Sequence, residues 1–179
     1  DKLACVLSDI QNMGYEIILV SSGAIAVGAN KLKMKTRPST MKMKQAAAAV
    51  GQCSILYLYD KFFHDYDKTI AQILLNAEDI EAEEKKENII NTFHTLLEMG
   101  IIPIVNENDS VSYTEIESED RLFGDNDMLS AVVAVLCKAQ KLVIFSDIDG
   151  FYDKDPRLYT DAKQIKYIEN IDEQIFSFA

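Results

Sequence analysis

The chain has 179 residues, of which 48% are hydrophobic and 26% charged, and its formal net charge is −11. This length is enough for one domain with a sizeable core, and the composition is ordinary for a globular protein. The acidic balance argues against broad electrostatic attraction to nucleic acid or to an anionic membrane. No apolar run approaches the roughly 20 residues that span a bilayer.

The first half of the chain alternates between helical and extended patterns. Residues 1–13 show helical periodicity that stops at Gly14, and the apolar run 16–20 has the length of a buried strand. A second helix is predicted over residues 39–64, through an alanine-rich stretch, and a second strand over residues 69–75.

The second half continues the alternation. An amphipathic helix is predicted over residues 80–100, a buried strand over 101–105, a hairpin or flap over 111–122, a helix over 125–139 and a last strand over 141–145. Apolar strands that alternate with helices are typical of a parallel sheet buried on both faces. We therefore expect an α/β fold, a three-layer α/β/α sandwich around a mostly parallel sheet.

Four polar segments follow the predicted strands or begin a helix. They are 21-SSGA-24, 106-NEND-109, 124-GDND-127 and 146-SDIDG-150. Ligands of open α/β sheets bind beyond the carboxyl ends of the strands, so these segments should converge at one edge. Each segment alone is also compatible with an ordinary polar turn or a helix cap.

The segment 146-SDIDG-150 permits several interpretations. A calcium loop of the EF-hand type fails, because Phe151 and Tyr152 occupy its fifth and sixth positions. The pattern also resembles the first motif of haloacid-dehalogenase-like phosphatases. Phe151 stands where that family has threonine, and only 29 residues follow Gly150. A plain acidic turn remains the simplest alternative.

Two further features of the sequence have bland alternatives. The stretch from Lys31 to Lys44 has six positive charges and no acid; it is either a solvated face or a region that attracts an anionic substrate. Cys5, Cys53 and Cys137 form no C-x-x-C pair, so zinc and dithiol chemistry lack their usual spacing. We expect buried, reduced thiols in a cytoplasmic protein.

Taken together, the motifs resemble one family. The order SSGAIAVG, KQAAAAVGQ, AQILL, IPIVNENDSV, FGDNDMLSA and FSDIDGFYDKDPR resembles the glutamate 5-kinases of the amino acid kinase superfamily, over essentially the whole chain. The resemblance implies a parallel sheet sandwiched between helices. It also implies ATP-dependent phosphorylation of the γ-carboxylate of L-glutamate to γ-glutamyl phosphate, the first step of proline biosynthesis.

The resemblance also assigns roles to individual residues. The glutamate-binding residues it implies are Ser22, Asn106, Asp109, Asp125 and Asn126. Asp127 resembles the catalytic acidic residue that organises the lysines, and Ser146 and Asp147 resemble the pair that borders the nucleotide. Asp153 and Asp155 resemble part of the turn on the nucleotide side.

The implied ligands are L-glutamate and ATP, with Mg²⁺ arriving on the nucleotide and no protein ligand for the metal. Proline is the implied feedback inhibitor, and the implied assembly is a dimer or tetramer without nucleic acid or membrane partners. The family places one lysine in a K-x-G motif and another in a glycine-rich G-T-G-G-M-x-T-K segment, and neither occurs in this sequence. We therefore expect residues 1–179 to be one incomplete kinase domain that is inactive alone.

Other functions stay open at this point. The chain is also compatible with the kinase domain of a bifunctional pyrroline-5-carboxylate synthase, or with a sibling kinase that acts on another carboxylate, carbamate or phosphate. A third possibility, from a different class, is a sensor that binds glutamate or proline without catalysis.

Overall fold

A computed structural model describes residues 1–111 and 126–178, which divide into two compact units, residues 1–142 and 143–179. The first unit contains α1 (Lys2–Asn12), β1 (Leu19–Val20), α2 (Ala24–Lys31), α3 (Met41–His64), β2 (Ile70–Leu75), α4 (Ala77–Glu81), α5 (Glu83–Glu98), β3 (Ile102–Glu107) and α6 (Asn126–Leu136). The second contains β4 (Phe151–Tyr152), β5 (Gln164–Ile165) and α7 (Glu173–Phe176). Among the described helices, none combines the length and apolar character that crossing a bilayer requires.

The sheet of the first unit is parallel, with β3 between β1 and β2. Leu19 of β1 lies opposite Ile104, and β2 pairs with β3 along its whole length, from Ile70 opposite Ile102 to Leu75 opposite Glu107. The strand ends of β1 and β3 therefore point the same way, as the apolar strand–helix alternation predicts.

Side chains alternate between the two faces of β3. Ile102 and Ile104 join a buried cluster with Ala4 of α1 and Phe63 of α3, whereas Val105 joins a second cluster. That second cluster also contains Leu75, Phe93, Leu129 and Val133, so α5 and α6 cover the opposite face. Since the side-chain period of a strand is two, this division follows from the sequence of β3. The expected three-layer α/β/α arrangement is confirmed.

Helices α2 and α3 cross with their backbones in contact. A Cβ atom added to Gly28 would lie 1.7 Å from the carbonyl oxygen of Ala47, and one added to Gly51 would lie 1.8 Å from that of Ala24. Only glycine permits such an approach. The contact fixes the direction in which α2 leaves the end of β1.

Several predicted boundaries differ from the structure. The first strand is limited to Leu19–Val20, and the predicted helix 80–100 is two helices, α4 and α5, divided at Ala82. Asn106 and Glu107 lie inside β3 and not in the turn after it. The predicted hairpin lies outside the described residues, apart from Val111.

The predicted strand over residues 141–145 is wrong within the described part of the chain. These residues form no strand, and Val143 and Phe145 are 62% and 79% exposed. An apolar run indicates what a segment would bury, but a strand exists only where a neighbouring edge supplies hydrogen bonds. The prediction of buried thiols is also wrong for Cys53, which is exposed on α3, whereas Cys5 and Cys137 are half-buried.

Candidate functional site

A cavity of about 840 Å³ opens beyond the carboxyl ends of β1 and β3. Its lining includes Gly23 after β1, Asn106 and Asp109 at the end of β3, and Asn126 at the start of α6. Residues 34–38, which connect α2 to α3, form another part of the wall. Three of the four polar segments that the sequence predicts to converge therefore contribute to one site.

At the end of β1, the backbone turns directly into α2. The amide of Ser21 donates to the carbonyl of Val105 at 2.8 Å, which extends the pairing by one residue. Gly23 then adopts φ +88° immediately before the first residue of α2. This left-handed conformation disfavours any side chain. Ser22, a predicted substrate-binding residue, is exposed between these two positions.

At the end of β3, Asn106 presents an unpaired hydrogen-bond donor. The residue is only 4% exposed, and its Oδ1 accepts a hydrogen bond from the amide of Glu107 at 2.8 Å. Its Nδ2 is buried and has no partner among the described residues. Asp109, half-buried, follows in the turn. A buried donor without a partner costs about 1–3 kcal/mol, so a ligand acceptor at this position would be stabilised.

The start of α6 presents the complementary group. Oδ1 of Asn126 is a buried acceptor with no partner in the described part of the chain. Asp127 is exposed, and its carbonyl accepts a hydrogen bond from the hydroxyl of Ser130 at 2.7 Å, which closes the first turn of the helix. Asp125 lies outside the described residues. The cavity thus has an amide donor and an amide acceptor available in its wall.

The charges that line the cavity balance. Lys35 and Arg37 supply two positive charges and Glu107 and Asp109 two negative ones, so the formal sum is zero in a chain whose net charge is −11. Part of the basic stretch therefore lies at the cavity. An anionic ligand meets less repulsion here than the whole-chain charge suggests.

The second unit ties its aspartates to its own backbone and side chains. Asp147 is exposed and forms an ion pair with Arg157, and Ser146 beside it is also exposed. Asp149 accepts a hydrogen bond from the hydroxyl of Tyr152 at 2.6 Å, and this bond raises the pKa of the tyrosine. Two further aspartates of the acidic segment 147–155 accept hydrogen bonds from backbone amides at 2.8 Å: Asp153 from Lys163 and Asp155 from Arg157. The acidic segment is thus a turn that its own carboxylates stabilise.

A further ion pair closes this unit. Nζ of Lys154, which is half-buried, lies 2.7 Å from Oδ2 of the exposed Asp161. The pairing lowers the pKa of Asp161 and raises that of Lys154.

Two residues that contact the site were not predicted from the sequence. Gln52 and Tyr59, both on α3, hydrogen-bond to the ends of β3 and β1 respectively. The available signal was weak. Gln52 is a polar residue beside an alanine-rich apolar stretch, but nothing in the sequence pairs it with a residue 55 positions away.

The fold and the site define a class of protein: a three-layer α/β domain with a polar cavity at the carboxyl edge of a parallel sheet. The sequence model of the amino acid kinase family matches residues 1–175, and the chain belongs to that family.

Individual relatives of the chain have names that are more specific than the family name. The chain is 54% identical over 175 residues to a protein of Clostridium perfringens (strain 13 / Type A) named glutamate 5-kinase, covering 98% of this chain and 65% of that protein. It is 48% and 47% identical over 179 residues to proteins of the same name from Enterococcus faecalis (strain ATCC 700802 / V583) and Listeria innocua serovar 6a (strain ATCC BAA-680 / CLIP 11262). These two alignments cover 100% of this chain and 66% and 64% of the relatives. The chain thus spans just under two thirds of the length of these curated relatives.

Proposed function

We propose that the protein containing this chain transfers the γ-phosphoryl group of ATP to the γ-carboxylate of L-glutamate. The product is γ-glutamyl phosphate, the first intermediate of proline biosynthesis. Residues 1–179 belong, in this proposal, to one amino acid kinase domain. The relatives named glutamate 5-kinase support the choice of substrate.

The observation that favours an amino acid as ligand is the pair of unsatisfied amide groups in the cavity. Nδ2 of Asn106 is a donor and suits a carboxylate, whereas Oδ1 of Asn126 is an acceptor and suits an ammonium group. An α-amino acid carries both groups on one carbon. A hydrogen bond to a charged group contributes about 1.5–3 kcal/mol, more than a bond between neutral groups.

Other residues of the site complete the recognition of glutamate in this proposal. Asp109, in the cavity wall, adds an acceptor for the ammonium group, and Asp125 serves with it. The hydroxyl of Ser22, next to the turn at Gly23, donates to a carboxylate. Lys35 and Arg37 supply positive charge to a substrate that brings two carboxylates.

The chemistry requires no general base. A γ-carboxyl group with an ordinary pKa of about 4.3 is ionised at neutral pH and is itself the nucleophile. One of its oxygens attacks the γ-phosphorus, a new oxygen–phosphorus bond forms, the bond to the β-phosphate oxygen breaks, and ADP leaves with its electron pair. Catalysis then depends on holding the two reactants in line and neutralising charge on the transferring group.

The nucleotide side of the proposal rests on fewer residues. Ser146 and Asp147 border the nucleotide, and Asp127 at the start of α6 acts by orienting catalytic lysines. Mg²⁺ enters bound to the phosphates of ATP, and no residue of this chain is assigned to it. The proposal also includes proline as feedback inhibitor, a homo-oligomer and a cytoplasmic location.

The experiment is hydroxylamine trapping of the acyl phosphate by the full-length protein with ATP and Mg²⁺. Reactions with L-glutamate, L-aspartate and no amino acid are compared, with and without proline. We expect hydroxamate to form with L-glutamate but not with L-aspartate or without an amino acid, and we expect proline to suppress its formation.

Two results would contradict the proposal in different ways. Binding of glutamate without any hydroxamate would indicate a sensor. Equal hydroxamate from aspartate and glutamate would contradict the substrate assignment, because the cavity would then not distinguish side-chain length.

A further inference from the structure

Helix α3 contacts both strand ends that border the cavity. Nε2 of Gln52 donates to the carbonyl oxygen of Glu107 at 3.1 Å, and the hydroxyls of Tyr59 and Ser21 are 3.1 Å apart. Gln52 and Tyr59 are seven residues apart, which is two helical turns, so both lie on the face of α3 that meets the sheet. Gln52 is 8% exposed and Ser21 is 7% exposed.

The register of the sheet explains why Glu107 needs this partner. The carbonyl of Val105 accepts a hydrogen bond from the amide of Ser21. Among the described residues, no further pair between β1 and β3 follows this bond, because the chain turns into α2. With a period of two, the amide and carbonyl of Glu107 face the same side as those of Val105, beyond the end of β1. Its amide is satisfied by Oδ1 of Asn106 and its carbonyl by Nε2 of Gln52.

These two bonds determine how Asn106 is presented. Because Oδ1 of Asn106 is occupied by the neighbouring amide, the side chain is held with Nδ2 as its remaining donor. The Glu107 amide, which donates this bond, keeps its direction only while the backbone at Glu107 keeps its conformation. Gln52 anchors that conformation by holding the carbonyl of the same residue. Gln52 therefore acts on the ligand through Glu107 and Asn106, without lining the cavity itself.

We propose that Gln52 is a positioning residue for the amino acid substrate. It keeps the backbone at Glu107 in the conformation that directs the amide donor of Asn106 at the substrate carboxylate. This inference rests on the proposed function, since it requires glutamate as the ligand of the cavity. Tyr59 has the corresponding role at Ser21, beside the turn that precedes α2.

The test compares Gln52→Met, which keeps the length of the side chain and removes the donor, with the wild-type full-length protein. The expected result is an increase of about tenfold in KM and Kd for L-glutamate, with the KM for ATP within twofold of wild type and kcat reduced less than threefold. Kd is measured by calorimetry without nucleotide, and kinetics by hydroxamate formation. Tyr59→Phe is expected to raise KM and Kd for L-glutamate two- to fivefold.

Ser54→Ala is the matched control on the same helix. Its hydroxyl donates to the carbonyl of Val50 and accepts from Lys31, so it bonds within α3 and to α2, away from the strand ends. Its glutamate KM is expected to match that of wild type. Gln52→Leu provides a second variant, apolar and also without a donor, in case Gln52→Met does not fold.

The outcomes separate the two proposals. A folded Gln52→Met protein with wild-type affinity for glutamate would overturn the positioning role, even if its melting temperature falls. Equal losses of affinity for glutamate and ATP would also overturn it, because general loosening affects both ligands. A wild-type protein that does not bind glutamate overturns the proposed function, and the positioning role with it, before any variant is made.

Discussion

The interior of each compact unit is stabilised by a different kind of interaction. The first has two buried apolar clusters on opposite faces of a parallel sheet, with Phe63 and Phe93 fully buried. The second has a two-residue antiparallel ladder, and its aspartates bind nearby donors. Burial of apolar surface is strong and non-directional, whereas exposed polar contacts contribute little each. The apolar clusters of the first unit therefore offset the cost of its buried polar atoms without partners. Two of these atoms, Nδ2 of Asn106 and Oδ1 of Asn126, lie at its cavity.

The largest expected effect concerns the core of the first unit. Phe93→Ala removes a ring that is 0% exposed and packs against the sheet from α5, and should lower the free energy of unfolding by about 3–5 kcal/mol. Urea unfolding followed by circular dichroism measures this change. Met99→Ala, at the exposed end of the same helix, is the control and should change it by less than about 0.5 kcal/mol. Similar losses in both variants would contradict the assignment of Phe93 to the core.

The next effect concerns the unsatisfied acceptor in the cavity. If Oδ1 of Asn126 receives the substrate ammonium group, Asn126→Ala should raise the Kd for L-glutamate about 10- to 100-fold, with little loss of stability. Calorimetric titration of the full-length protein measures this constant. Asn91→Ala, exposed on α5, should bind normally. Unchanged affinity in Asn126→Ala would remove this residue from the site.

A smaller effect is expected at the basic wall. Arg37→Ala removes one exposed cation from the cavity and should raise the KM for glutamate about two- to fivefold at low salt. The difference from wild type should shrink as salt increases, because screening weakens exposed charge interactions. Lys42→Ala, from the same basic stretch but on α3, provides the control. Equal effects of both substitutions would mean that charge anywhere on this face matters, and not its position at the cavity.

The smallest effect concerns the ion pair of the second unit. The pKa of Asp161 is lowered in the folded protein, so this residue contributes stability at pH values above its pKa in the unfolded chain. The contribution is lost as the pH falls through its pKa in the folded protein. Lys154 behaves oppositely: its pKa is raised, so its contribution is lost only as pH rises through the folded value. Asp161→Asn should therefore return the Lys154 pKa toward its ordinary value, as measured by NMR titration. Because Asp161 is exposed and Lys154 is only half-buried, the melting temperature near neutral pH should hardly change.

Local pattern predicted much of the first unit. The helical periodicity of residues 1–13 and 39–64 corresponds to α1 and α3, and the apolar runs correspond to β2 and β3. The order of polar segments also predicted that Gly23, Asn106 and Asn126 would border one site, because carboxyl ends of parallel strands share an edge. Pattern failed at residues 141–145, where apolar character was present without a described strand partner.

The sequence by itself determined which segments are helical, which faces are apolar and where polar groups follow the strands, because these depend on neighbours within a few turns. Only the tertiary structure decided that β3 lies between β1 and β2, and that the cations of residues 34–38 line the cavity. The same holds for the bond from Gln52 to Glu107. A hydrogen bond between residues so distant in the chain exists only after helices and sheet have packed. For that reason the donor of Asn106 and the acceptor of Asn126 could be recognised as unsatisfied only in the folded chain.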